Sequence, residues 1–344
     1  MTRSAVRGRS PARVVVTGAS GNVGVALLRH AAAAGTHDLV GVCRHPPDPV
    51  PPFDSADWTA VDLAADDAPA TLRETFAGAA VVVHLAWLIE PEGDVEGSAR
   101  INLDGTGAVL DAVAATGVSH VVFLSSVAVY APAPGGVPVT EDGARPGIDG
   151  SAYSAQKVAA EDLLDRFEAE HPETVVTRLR AGLIVQREAA REITGPFVGR
   201  LLPPALVRAL QNGRITPIPL PSGLSVQLVH ADDIADAIWR AVEQRAPGAF
   251  NVTADALDLR GIAAVVGARA LPLPARAVGA VVRLLHATGL STMTPGWFAM
   301  MMGKPVVDGT RAHDVLGWVP RHSTTEAARD LLDGLVADSA GPGS

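Results

Sequence analysis

The sequence predicts a doubly wound α/β fold, a parallel sheet with helices on both faces. Three observations carry that reading. Short valine-rich runs alternate with longer alanine-rich stretches through the first half of the chain. A glycine-rich turn directly follows the first of those runs. The chain has 344 residues, 48% hydrophobic and 19% charged, enough to bury a large core without disulfide or metal staples. Its single cysteine, Cys43, excludes an internal disulfide and fits a reducing compartment.

Residues 14–17, 39–43, 59–61, 81–85, 120–125 and 175–180 are short, apolar and rich in valine, and predict strands. Between them, 23–34, 69–76, 101–116 and 154–171 predict helices. Strands alternating with helices at this spacing imply right-handed crossovers and a parallel sheet. Beyond residue 181 the pattern loosens, punctuated by Pro203, Pro204, Pro217, Pro219 and Pro221, with helices predicted at 231–243 and 323–337. The expected organisation is a nucleotide-binding core at 13–181 and a smaller cap at 182–338 that returns some segments to the core. Disordered tails are expected at 1–12 and 339–344.

Net charge is −9 with both signs interspersed, and no basic stripe points to nucleic acid. Arg3, Arg7, Arg9 and Arg13 crowd the start, as an address or a frayed tail, but no apolar stretch follows that would make a signal peptide. The most apolar segment, 277–290, is broken by Arg283 and His286 and falls short of the ~18 residues that span a bilayer. A cytoplasmic protein without nucleic-acid or membrane partners is expected, and no metal site.

The first predicted strand runs into Thr17-Gly18-Ala19-Ser20-Gly21-Asn22-Val23-Gly24 and then a helix. Glycines at such a turn let backbone approach a pyrophosphate, and the helix start offers free N–H groups to it. Gly18, Ser20, Gly21, Asn22, Val23 and Gly24 are therefore candidate cofactor contacts, with a plain structural turn as the alternative.

Only two of the 28 basic residues are lysines, Lys157 and Lys304, and there are only two tyrosines, Tyr130 and Tyr153. Tyr153 and Lys157 stand one helical turn apart on one face. An ammonium beside a phenol favours the phenolate, lowering its pKa and making it an acid or base near neutrality. Ser125 and Ser126 end the strand predicted at 120–125, where strand ends border a ligand crevice; capping is equally open to them.

Together these residues resemble the extended short-chain dehydrogenase/reductase, or NAD-dependent epimerase/dehydratase, family over about residues 13–334. The motifs are TGASGNVG at the turn, SSVAVY at 125–130 and YSAQK at 153–157. The resemblance implies a Rossmann-type sheet with a smaller C-terminal substrate-binding cap. It implies that Ser126 holds the substrate oxygen, Tyr153 passes the proton, and Lys157 lowers the tyrosine pKa and binds the nicotinamide ribose. Asn102 in INLDGT would join these catalytic residues. His84-Leu85-Ala86 resembles the family's fourth-strand motif, which places Leu85 and Ala86 beside the cofactor, although His84 alone also reads as a core histidine. Asp62 and Leu63 match the position near the adenine. VHADDIADAI at 229–238 and VLGWVPRHS at 315–323 resemble the later signatures, although Asp232 and Asp233 alone read as helix caps. Trp87, Ser125, Ser126 and Trp297 are the expected substrate contacts, and a homodimer is implied.

The family's dehydratases carry an Asp-Glu pair where Val127-Ala128 stand here, which disfavours dehydration. Ala131, Ala181 and Val226-Gln227 likewise depart from the pattern of nucleotide-sugar epimerases. After the second strand come Val42-Cys43-Arg44-His45, with no acid until Asp48. Arg44, assisted by Arg29, would pair a 2′-phosphate, so NADP is expected ahead of NAD. The residues 297–302, WFAMMM, form an apolar cluster that lines a pocket for an apolar carbonyl or alcohol, or simply packs. The expected function is an NAD(P)-dependent oxidoreductase acting on a carbonyl or secondary alcohol. The alternatives are an epimerase of nucleotide sugars and a non-catalytic dinucleotide sensor.

Overall fold

The computed structural model describes residues 12–35, 37–89, 94–133, 137–190, 216–291 and 293–337, with positions 192, 208–210, 212 and 214 besides. The tails expected at 1–12 and 339–344 lie outside the described residues, except Ala12, which opens the first strand.

Strands and helices alternate as β1 (Ala12–Thr17), α1 (Asn22–Ala34), β2 (His37–Cys43), β3 (Asp57–Ala60), α2 (Ala68–Phe76) and β4 (Val81–His84). Then come α3 (Val95–Ala99), α4 (Gly105–Thr116), β5 (His120–Ser126), α5 (Ala152–Glu170) and β6 (Val175–Ala181). The remainder contributes β7 (Leu183–Val185), β8 (Ile218–Pro221), β9 (Val226–His230), α6 (Ala231–Gln244), β10 (Gly248–Val252) and β11 (Ala256–Leu257). It ends with α7 (Leu259–Val265), β12 (Ala270–Leu273), α8 (Ala275–Ala287), α9 (Pro295–Gly303), α10 (Thr310–Leu316) and α11 (Thr324–Ala337).

Seven strands form a parallel sheet in the order β10-β6-β5-β4-β1-β2-β3. Both faces are covered, which is why the strands read as unbroken valine runs. Val14 and Val16 of β1 face α1 and α6 through Leu27, Leu28, Ile234 and Ile238. Val15 between them points to the other face, with Leu72 of α2, Val109 of α4 and Leu164 of α5.

The strand order reverses between β1 and β4, so the crevice of this sheet opens at their C-terminal ends. Both the glycine turn and the His84-Leu85-Ala86 segment lie there. The edge strand β10 comes from beyond residue 181, and α6, α10 and Trp318 pack into the same core as β1. Two small sheets, β11-β9-β7 and β12-β8, stand apart from the main one.

The helix expected at 101–116 is interrupted. Residues 100–104 form a π turn between α3 and α4, with Asn102 completely buried in it. Such widened turns are frequent at functional sites.

Candidate active site

The turn after β1 is shaped by backbone crowding. Gly18 has a φ of +72°, and a Cβ there would lie 2.6 Å from the Ala86 nitrogen. A Cβ on Gly24 would lie 2.4 Å from the Ala19 carbonyl oxygen, so α1 sits directly on the turn. Gly21 caps α1 without a side chain, leaving first-turn N–H groups for an anion. The Asn22 Oδ1 is buried beside them without a hydrogen-bond partner among the described residues. A tight turn that Gly18 and Gly24 alone permit, with uncapped donors at the start of α1, fits a dinucleotide pyrophosphate. Ser20 is exposed and Val23 half-buried at its rim.

Along the crevice, Leu85 donates its N–H to Thr17 O at 3.0 Å. Arg44 is exposed just past β2. Asp62 is exposed and accepts from the Ala64 N–H at 3.0 Å, while Leu63 packs beside Gly105 of α4. Arg29 is not available to a phosphate. Its guanidinium donates to Gln186 at 2.8 Å and to Asp232 at 3.0 Å, tying α1 to α6.

Tyr153 is half-buried in the first turn of α5, which Ser151 caps by accepting from the Ser154 N–H. Ser126 Oγ accepts from the Ala128 N–H at 3.1 Å, leaving its own proton for the Tyr153 phenol. Burial raises the phenol pKa and the Ser126 hydrogen bond opposes that rise. The expected lowering of this pKa by Lys157 is therefore not found. The Lys157 Nζ is instead directed at Leu124 O, 2.9 Å away, and lies 3.4 Å from the centre of the Trp87 ring. Burial pushes its pKa well below the lysine range, against the pull of the Glu161 carboxylate. Trp87 also meets Tyr153 edge-on at 6.3 Å, and its Nε1 is buried without a hydrogen-bond partner among the described residues.

Trp297 faces the Tyr153 ring at 5.3 Å from the start of α9. Between them and the segment after β4 opens a cavity of about 250 Å³, lined by Tyr153, Gln156, Leu88, Ser98, Thr294 and Trp297 among others. The methionines 300–302 are half-buried further along α9.

Two expected site residues have other places. Ser125 donates its hydroxyl to Glu161 at 2.5 Å inside the core, so it has no proton to offer a substrate. Asn102 donates to Leu88 O at 2.9 Å and to Gln156 Oε1 at 2.7 Å, and accepts from the Leu88 N–H at 2.7 Å. Its amide is spent on positioning the segment after β4 and α5, not on a reacting group. His84 is a core histidine. Thr106 gives its proton to Asn102 O, so His84 must donate from Nε2 to Thr106 and accept at Nδ1 from Thr17. Burial, with Lys157 nearby, lowers its pKa to about 3 and keeps it neutral.

A model of the NAD dependent epimerase/dehydratase family matches residues 14–253. The chain belongs to that family. An uncharacterized protein of Mycobacterium tuberculosis is 43% identical over 114 residues, covering 33% of this chain and only 12% of that protein's length. An NAD-dependent glucose-6-phosphate dehydrogenase of Haloferax volcanii is 31% identical over 193 residues, 52% of this chain and 71% of that protein. The structure of a UDP-glucose 4-epimerase of Thermus thermophilus, in complex with NAD, superposes with a TM-score of 0.65. It covers 94% of this chain and 98% of the other at 20% identity, a likeness of fold.

Within this epimerase/dehydratase fold, the sequence reading missed Glu161 and Gln156. Glu161 is fully buried one turn beyond Lys157, paired with Arg180 at 2.7 Å and Arg145 at 2.7 Å. Arg180 also donates to the Tyr130 hydroxyl at 2.8 Å, and Tyr130 donates to Asn251 at 2.6 Å. The recurrence of a charge four residues after Lys157 is the signal that could have found Glu161.

Proposed function

We propose that this chain is a nicotinamide-dinucleotide-dependent oxidoreductase interconverting a carbonyl and a secondary alcohol. The observation that carries this reading is the Tyr153 phenol on the wall of the 250 Å³ cavity, joined to Ser126 and one turn from a buried Lys157. The dinucleotide, when bound, supplies or accepts the hydride. Gly18, Gly21 and Gly24 with the open start of α1 would hold its pyrophosphate. Leu85 and Ala86 would border it along the crevice, with Asp62 and Leu63 at the adenine side. Residues 13–181 would carry most of this work and the cap at 182–338 most of the substrate wall.

The chain's own groups manage the oxygen and the proton. Burial keeps Tyr153 protonated at neutral pH, which suits donation to an oxygen gaining charge during reduction. Ser126 and Tyr153 together offer that oxygen two hydrogen bonds, which strengthen as charge develops. Lys157 would bind a ribose hydroxyl, and the Ser126 hydrogen bond favours the phenolate left behind. Trp87 and Trp297 supply apolar walls around the reacting carbon.

Arg44, exposed and with no acid before Asp48, supports NADP over NAD. Incubation of carbonyls, secondary alcohols and nucleotide sugars with each dinucleotide, read by reduced-nicotinamide absorbance and product analysis, tests both readings. Net dinucleotide turnover, faster with the phosphorylated form, is expected. Epimer formation without net turnover would overturn the oxidoreductase reading in favour of an epimerase.

A further inference from the structure

Residues 259–307 carry Arg260, Arg269, Arg276, Arg283 and Lys304 but no aspartate or glutamate, in a chain whose net charge is −9. Helix α8 lies in the middle of this segment, and Gly279 is its only buried residue. Its inner side rests on α9, where a Cβ on Gly279 would lie 3.0 Å from the Phe298 ring. Its outer side is also apolar. Ala277, Ala280, Val281, Leu284 and Ala287 recur at helical spacing and are all exposed. Val281 is 53% exposed, Leu284 64%, and Leu290 just beyond the helix 68%. Arg276 and Arg283, two turns apart and exposed, flank this stripe, and neither forms an ion pair among the described residues.

An exposed apolar stripe bordered by unpaired arginines needs an occupant that is apolar in depth and anionic at its surface. A second copy laid antiparallel on this stripe across a two-fold axis would set the same arginines against each other. An anionic headgroup layer has the opposite sign. We propose that α8 seats this chain on the surface of an anionic lipid bilayer, with Val281, Leu284 and Leu290 at the acyl boundary and Arg276 and Arg283 among the headgroups.

This is a seat and not a span. Among the described residues no helix is long and apolar enough to cross a membrane. The expectation of no membrane partner rested on the lack of a span, which leaves surface docking open. Because α8 packs on α9, and Thr294 and Trp297 of that hairpin line the Tyr153 cavity, the seat brings the cavity close to the lipid. That a lipophilic carbonyl or alcohol reaches Tyr153 from this side rests on the function proposed above; the seat itself does not.

The test is flotation of the full chain with phosphatidylcholine vesicles, with and without phosphatidylglycerol, across a salt series. Binding to the mixed vesicles is expected, weaker on phosphatidylcholine alone and falling with salt. The R276Q/R283Q pair should lower the partition coefficient about thirty-fold, and V281S/L284S by a similar or larger factor. Thermal melts would show that these exposed changes leave the fold intact. Absence of binding to the mixed vesicles would overturn the proposal. So would binding unchanged in both pairs, or a concentration-dependent dimer that V281S/L284S abolishes. Lost vesicle binding with intact turnover of a water-soluble substrate refutes the seat alone. Intact vesicle binding without any dinucleotide turnover refutes the oxidoreductase reading alone.

Discussion

The sheet core and the cap segment 259–307 handle charge in opposite ways. Beneath the site, Glu161 is fully buried between Arg180 and Arg145, with Ser125 donating to its carboxylate and Tyr130 accepting from Arg180. In the cap, Arg276 and Arg283 stand exposed, without an ion pair among the described residues, beside exposed valine and leucine. A buried, satisfied network fixes geometry, which proton transfer at Tyr153 requires. An open basic and apolar surface fixes nothing within the chain and is suited to contact outside it.

The largest effect should follow from breaking the buried side of this contrast. Glu161→Ala strands Arg180 without its carboxylate and is expected to cost about 3–5 kcal/mol of folding stability in urea denaturation. The paired cap substitution R276Q/R283Q should stay within about 0.5 kcal/mol of the parent. Equal losses would erase the distinction.

Acid should find the core next. His84 and His120 are buried, with pKa values lowered by that burial to about 3 and about 4, helped by Lys157 and Arg245 respectively. The unfolded chain takes up these protons near 6.5 and the folded chain refuses them. Their contribution is thus intact above that pH and is lost as pH falls, by about 2 kcal/mol per histidine at pH 5. Denaturation curves measured at neutral pH and near pH 5 check this; unchanged stability would mean that both rings protonate without unfolding.

The smallest change belongs to the cap. Thr294 caps α9 by accepting from the Trp297 N–H at 3.2 Å, and Thr294→Ala should cost about 1 kcal/mol in a thermal or urea melt. A loss comparable with that of Glu161→Ala would show that the cap is held as tightly as the core.

The same contrast governs what is legible in the sequence. The parallel core is legible because strands buried on both faces must be apolar throughout, and because Gly18 and Gly24 answer local backbone crowding. Edge strand β10, with Gly248 at φ +89° and only five residues, has no such run and goes unseen. The π turn at Asn102 is also invisible, since it accompanies bonds to Leu88 and Gln156 that spacing does not announce. At the site, Tyr153 and Lys157 are legible from helical spacing. The Trp87 ring over Lys157, the engagement of Ser125 by Glu161 and that of Arg29 by Asp232 are set by tertiary packing between residues far apart in the sequence.

The most direct measurement compares Tyr153→Phe with the parent on whichever carbonyl or alcohol the panel identifies, alongside dinucleotide titration. The account predicts unchanged dinucleotide affinity with turnover reduced by about 100- to 10,000-fold. Turnover equal to that of the parent would contradict it, because the proton would then come from a group other than the Tyr153 phenol.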